Sequence, residues 1–224
     1  MYFDFHVHGD SHLACEARRL GYRGIALIQP SNNFKPEPIK DFIEEDFLIL
    51  NGVEIYAKNP EDLKKKVQKF RKKVDVIIVN GGNIKINRAA CEDPRVDILV
   101  NPFKTRRDSG INHVIAKKAA ENEVAVEIGL NHIINTRLSL RAKMLSNFRQ
   151  IIKLKHKFKF PLITTSNAHS IYNLRTPEDI ITLLRCLGLT SQEAKNSLSQ
   201  NPLQIYEKKK IRDNMVVKGA RILE

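Results

Sequence analysis

Two kinds of chemistry are written into this chain of 224 residues. Near its start, Phe3-Asp4-Phe5-His6-Val7-His8 alternates apolar and polar residues. Successive side chains of a strand point to opposite faces, so Phe3, Phe5 and Val7 are expected on one face and Asp4, His6 and His8 on the other. Two imidazoles at the end of a strand can share protons or polar partners at whatever site that strand end opens onto. The second kind is cationic. Between an apolar strand and an amphipathic helix, Lys104, Arg106 and Arg107 crowd into one Gly-containing loop. A guanidinium offers a planar fork of donors that fits a phosphate bidentately.

More cations lie elsewhere. Arg137 and Arg141 open a long helical segment that also carries Arg149, Lys153, Lys155 and Lys157, opposite a stripe of Met144, Leu145, Phe148, Ile151 and Ile152. Lys64-Lys65-Lys66 with Lys69, Arg71, Lys72 and Lys73 makes a third block, and Arg175 sits in a later loop, where it could also pair with Glu178 or Asp179. A charged helix face is more often simply solvated. Here 38 Lys and Arg oppose 25 acids, a net charge of +13, and an excess of that size is the footprint of a polyanion partner. Few aromatics lie among the charges, so phosphate contact with a nucleic acid is expected rather than base stacking.

These residues must be positioned by a fold. Strands are expected near Tyr2–Val7, Gly24–Gln29, Phe47–Ile55, Val74–Asn80, Asp97–Val100, Val124–Ile128 and Leu162–Thr165. Helices are expected at Ser11–Leu20, Pro36–Glu44, Pro60–Lys72, Ile84–Cys91, Ile111–Glu121 and Leu138–Phe158, then Pro177–Leu187, Ser191–Leu198 and Pro202–Arg212, with a last apolar run at Met215–Leu223 that could be a strand. Asn59-Pro60 and Thr176-Pro177 have the form of helix starts, a capping side chain before a proline. Strict alternation of strand and helix implies parallel βαβ units, and their number favours an irregular (β/α) TIM-like barrel, α/β in class, in a single domain over residues 1–224. No Gly-rich phosphate loop follows a strand, which argues against an open nucleotide-binding sheet. In the barrel, the polar face of the first strand points inward, and His6 and His8 reach the C-terminal mouth, where such barrels carry chemistry. Cys15, Cys91 and Cys186 are odd in number and scattered, as expected of reduced, buried thiols in a cytoplasmic protein without a membrane span.

His6-Val7-His8 resembles the opening motif of the polymerase-and-histidinol-phosphatase (PHP) barrels, a family of metal-dependent phosphoesterases. Gly52-Val53-Glu54 and Ser166-Asn167-Ala168-His169 resemble later pieces of that pattern. The resemblance implies a PHP-type barrel with His6, His8, Glu54 and His169 as metal-ligand candidates, able in principle to activate water against a phosphodiester. The chain departs from the pattern at Asn167, where the family has Asp, and at Asn80 and Asn101, near points where it usually offers His or Cys. The expectation is therefore a vestigial set, with no metal and no catalytic residue in this chain.

A second resemblance covers most of residues 1–188. Arg107-Asp108-Ser109-Gly110-Ile111-Asn112-His113-Val114, Asn87–Glu92 before Val96–Leu99, Val126–Ile128 before Arg137–Ile152, and Thr164–His169 before Asn173–Arg175 are similar in order to the archaeal and eukaryotic thirty-kilodalton ribonuclease P protein family. Asn167 and Asn173 depart from it, since Gly and Asp are more usual there. Membership implies a non-catalytic subunit of the ribonucleoprotein that removes the 5′ leader from precursor tRNA. It also implies catalysis by the RNA subunit with Mg²⁺, contacts to that RNA and to precursor tRNA, and a smaller α/β protein partner. The cations expected to touch RNA are Lys104, Arg106, Arg107, Arg137, Arg141, Arg149 and Arg175. The alternatives left open are a PHP-type phosphoesterase and a protein-interaction module.

Overall fold

The computed structural model describes residues 1–9, 11–35, 46–213, 215–217 and 220–221. Seven strands form one sheet in sequence order: β1 (Phe3–Val7), β2 (Gly24–Pro30), β3 (Leu48–Ile55), β4 (Val76–Asn80), β5 (Ile98–Val100), β6 (Ala125–Gly129) and β7 (Leu162–Thr165). All six pairings between neighbours are parallel. A bridge between Val7 and Ala168, with His8 N–H donating to Ala168 O at 2.7 Å, brings the two edges together. The result is the expected near-closed TIM-like barrel.

Helices return the chain between strands: α1 (Ser11–Arg19), α2 (Pro60–Phe70), α3 (Ile84–Glu92), α4 (His113–Glu121), a single turn α5 (Asn131–Ile134), then α6 (Leu138–Phe158). α7 (Pro177–Leu187), α8 (Ser191–Leu198) and α9 (Gln200–Asp213) follow β7, and β8 (Met215–Val217) pairs antiparallel with β9 (Ala220–Arg221). The expected helix at Pro36–Glu44 lies outside the described residues. Local chemistry fixes the ends of α2 and α7. Asn59 accepts from Asp62 N–H ahead of Pro60, Thr176 accepts from Asp179 N–H ahead of Pro177, and Gly188 closes α7 at φ +113°.

Strand parity sorts the core into two layers. Ile25, Leu27, Ile77, Val79, Val126 and Ile128 pack outward against the helices. Ala26, Ile28, Leu50, Val76, Ile78, Ile98, Val100, Ala125 and Ile163 fill the interior, and Ile205 of α9, with Leu203 and Tyr206 beside it, plugs the N-terminal end. At Gly52 a Cβ would lie 2.2 Å from Ile28 Cδ1, so the interior admits only glycine there without rearrangement. β1 departs from expectation. Phe3 and Phe5 belong to the interior cluster and Val7 to the outer one. The cause is an irregularity, because Asp4 aligns with Ile25 but Val7 with Leu27, three residues against two. That bulge reverses parity inside the strand and turns His6 and His8 to the mouth although Phe3 and Phe5 also face inward. The cysteines are free, but Cys15 and Cys186 are exposed and Cys91 alone is buried, because the first two fall on the outer faces of α1 and α7.

Arg71 is the cation that the sequence places wrongly. It is no part of a basic surface block: it is buried at the end of α2, with Nη1 2.6 Å from Asp97 Oδ2. Its guanidinium also donates to the carbonyls of Arg95, Val74 and Asp75, while Asp97 Oδ2 accepts from Ile77 N–H at 2.7 Å. One side chain thus ties α2 to the starts of β4 and β5. Arg71→Met leaves Asp97 buried without its counter-charge and is expected to cost about 3–5 kcal/mol in urea unfolding. Arg71→Met/Asp97→Asn should recover part of the loss, and a single mutant within error of the native stability would contradict this role.

Candidate functional site

The barrel mouth is a polar layer laid over the apolar interior, one residue pair further along each strand. Glu54 shares a face with Leu50 and Gly52, Asn80 with Val76 and Ile78, Glu127 with Ala125, and Thr165 with Ile163. His6 is fully buried, its Nδ1 2.5 Å from Glu127 Oε1. Thr165 Oγ1 donates to the same oxygen at 2.6 Å. His6 Nε2 faces His8 Nε2 at 2.9 Å, and the His8 ring stacks on His169 at 4.3 Å. Glu54 accepts from Tyr56 OH at 2.6 Å and from Asn80 Nδ2, and its Oε2 lies 3.9 Å from His8 Nε2. His132 bonds to Asn101 Oδ1 and meets the Phe103 ring edge-on.

Burial and charge set the protonation. Burial disfavours a charged His6, but Glu127 beside it outweighs that and holds the imidazole above its usual pKa; Glu127 is held below its own, against the same burial, chiefly by His6. The two are an ion pair. Burial, helped by the neighbouring His6, pushes His8 down to about 3, and His132 and His169 are also lowered by burial. One imidazolium is thus neutralised by one carboxylate and ringed by neutral imidazoles.

The PHP resemblance implies metal here, and the donor set can be tested against it. Ligand atoms of His6, His8 and Glu54 all lie within 4.8 Å of one another, and Glu127 occupies the far nitrogen of His6 as an outer carboxylate does behind a metal-bound imidazole. Glu127 Oε2 and Asn167 Oδ1 are buried acceptors without a partner. His169 is placed by stacking and is not one of the three grouped donors. Around them, Asn80, Asn101 and Asn167 are neutral amides where a multi-metal cluster needs anions. The set suits one borderline cation, which would brace β1 against β3, and does not suit a hydrolytic cluster of two or three.

The cationic loop stands beside this mouth. Asn87, fully buried, donates to Pro102 O and Gly110 O, each at 2.9 Å, and accepts from Gly82 N–H, so α3 pins both ends of the loop after β5. Gly110, at φ +71°, leaves no room for a Cβ, which would sit 1.8 Å from Pro102 O. Lys104 Nζ lies 5.8 Å from the centre of the Tyr56 ring, so the loop reaches over the mouth. Arg106 is spent locally in a two-bond pair with Asp108, at 2.7 and 2.8 Å. Arg107 is exposed.

The other predicted cations are less gathered. Arg141 folds back onto Thr136 O at 2.8 Å. Arg137 and Arg141 follow β6 on the same rim, but Arg149 lies about 12 Å beyond Arg141 along α6, at 1.5 Å per residue, and away from the mouth. Arg175 donates to Tyr172 O and Leu174 O and pairs with neither Glu178 nor Asp179. Lys66 is engaged by Asp62 and by Tyr56 O, while Lys64 and Lys65 are exposed. Sequence reasoning missed Glu127, Tyr56, Thr165 and His132 as mouth residues. The signal for Glu127 was present, since it is a lone acid in the apolar run Val124–Gly129 with the parity of Ala125.

Ribonuclease P protein component 3 of Methanothermobacter thermautotrophicus is 48% identical over 99% of this chain and 95% of its own length. The component 3 of Methanococcoides burtonii is 44% identical over 93% of this chain and 85% of its own. Among solved structures, a chain of an archaeal ribonuclease P determined with mature tRNA by cryo-electron microscopy superposes with a TM-score of 0.88 at 31% identity, covering 99% of this chain and 98% of that one. Ochratoxinase from A. niger, 11% identical at a TM-score of 0.58 over 91% of this chain and 71% of its own, shares the fold alone. With residues 1–214 matching the family model of RNase P subunit p30, this chain belongs to that family.

Proposed function

We propose that this chain is a protein subunit of ribonuclease P that binds and positions RNA while the 5′ leader is removed from precursor tRNA. The observation that carries this reading is the near-complete superposition on a chain of the tRNA-bound archaeal enzyme at 31% identity. The RNA subunit, with Mg²⁺, does the cutting; this barrel supplies no catalytic group and works beside a smaller α/β protein subunit in the cytoplasm. None of the described helices is long and apolar enough to cross a membrane. With neutral Asn80, Asn101 and Asn167 around it, the mouth lacks the anions that a hydrolytic cluster of cations would need. The net charge of +13 offers a phosphodiester backbone attraction instead.

We place the RNA first on the loop after β5, where buried Asn87 removes the entropy of a free loop before binding. Lys104 and Arg107 lead this contact. Arg106 contributes less, because Asp108 must be displaced before it can take a phosphate.

The chain alone is expected to show no Mn²⁺- or Zn²⁺-stimulated hydrolysis of phosphate esters. Added to RNA subunit and protein partner, it should raise the pre-tRNA cleavage rate or lower the Mg²⁺ demand. Turnover by the free chain that His8→Ala abolishes favours the PHP-type phosphoesterase, and an unchanged cleavage profile with and without the chain contradicts the assignment.

Replacing Lys104, Arg106 and Arg107 by Ala should weaken RNA binding and flatten its salt dependence by up to about three charges' worth of slope, with Arg107→Ala costing more than Arg106→Ala. Lys64, Lys65 and Lys66 replaced together should do less. The opposite order, with folding intact, would place the RNA on another face.

A further inference from the structure

Beside the mouth, α5 and α7 leave an apolar groove uncovered. Leu130, Ile133 and Ile134 form one wall and Ile180 and Leu183 the other, around a cavity of about 280 Å³ with Arg175 and Asp179 at its edge. The rims carry large apolar side chains in water. Leu138 is 90% exposed and Leu140 59% on the α6 side, and Tyr172 is 80% and Ile171 46% exposed in the 3₁₀ turn Ile171–Asn173. Of the eight large exposed apolar residues among those described, four are these. Hydrogen bonds weld rims to groove: Arg141 reaches Ile134 O and Thr136 O, and Arg175 reaches Tyr172 O.

Two further features mark the place. Leu138 sits at φ +47°, a backbone region a leucine disfavours, while its side chain packs against almost nothing in this chain. Arg137, at the N-cap of the 21-residue α6, makes no side-chain cap, and no acid stands in the first turn, so the positive end of the longest described helix is uncovered. Among the described residues no carboxylate pairs with Arg137, Arg141 or Arg175, and Asp179, which accepts from Thr176 Oγ1 at 2.8 Å, is the one acid lining the groove against these three cations. The surface is therefore apolar at its centre and cationic at its edge.

We infer that this groove takes an acidic, apolar-faced segment of another protein subunit of the same ribonucleoprotein, with carboxylates on Arg137, Arg141 and the bare end of α6, and apolar anchors between α5 and α7. The inference rests on the reading of the chain as a ribonuclease P subunit. Charge complementarity selects an acidic partner, and the leucines select protein over RNA, since they offer a phosphate backbone nothing. The loop at Lys104–Arg107 carries no such apolar rim. Arg137, Arg141 and Arg175 are then protein-contact residues.

Amide hydrogen exchange of the full chain tests this, measured alone, with the RNA subunit alone, and with each recombinant protein subunit of the enzyme alone. One protein subunit should protect residues 130–141 and 171–183 without RNA. Leu140→Glu should weaken that complex about tenfold or more, as loss of an anchor does, while leaving melting unchanged. Leu138→Gly should weaken it too while raising thermal stability, because glycine accepts the positive φ; a destabilised Leu138→Gly chain would count against the strain argument. Protection of both segments by RNA alone, by self-association of the chain, or by no protein subunit overturns the inference. If the chain stimulates cleavage normally while both segments stay unprotected, only this inference fails. If it joins no ribonuclease P at all, the functional reading fails with it.

Discussion

The seam between β1 and β7 is the constraint on which the rest of the barrel depends. Six strand pairings are parallel ladders, broken only by the bulge in β1, but the seventh contact is made by one bridge and by the side chain of Asp4. That carboxylate, fully buried, accepts Ser166 N–H at 3.1 and 3.2 Å and His6 N–H at 3.3 Å. A short β7 has little backbone to offer β1, and the carboxylate stands where a ladder would have been. Burial pushes Asp4 up to about 6, with the amides of Ser166 and His6 working against that rise. The carboxylate thus closes the seam against the cost of its own burial, and it sits directly beneath the mouth.

From that seam the mouth follows. The bulge in β1 turns His6 toward Glu127 on β6, and the ion pair spans the barrel near its closing edge. His8 and Glu54 carry the contact on to Asn80 and Tyr56, and Lys104 lies over Tyr56. A run of neighbouring side chains therefore leads from the closing seam to the cationic loop. In a catalytic barrel the same layer would be kept short of partners so that substrate could complete it. Here most of its groups are satisfied internally, which favours holding a shape over turning over a substrate. A rigid rim is what recognition of folded RNA by phosphate and shape requires.

The sequence shows the architecture well and the details unevenly. Alternation of strand and helix is legible because the strands are mostly apolar and several helices start on their own capping residue, as at Asn59 and Thr176. Parity in β1 is not legible, since Phe3 and Phe5 suit the interior as well as the helix layer and a bulge leaves no mark in composition. Arg71 hides in a lysine-rich run, although it lies four residues beyond Val67, on the buried stripe with Leu63 and Phe70. The bidentate pair of Arg106 with Asp108 could be read from their spacing. The bare rim of Leu138 and Leu140 could not, because two leucines at the start of a helix look like core.

On this reading the barrel is a scaffold that presents its C-terminal rim to RNA. A photo-crosslinking residue placed at exposed Thr105, in the cationic loop, and in a second chain at exposed Lys73, at the opposite end of the barrel, tests it within the assembled, cleaving particle. Crosslinks to RNA are expected from position 105 and none from position 73. RNA crosslinks from position 73 with none from position 105, in particles of normal activity, would contradict this reading.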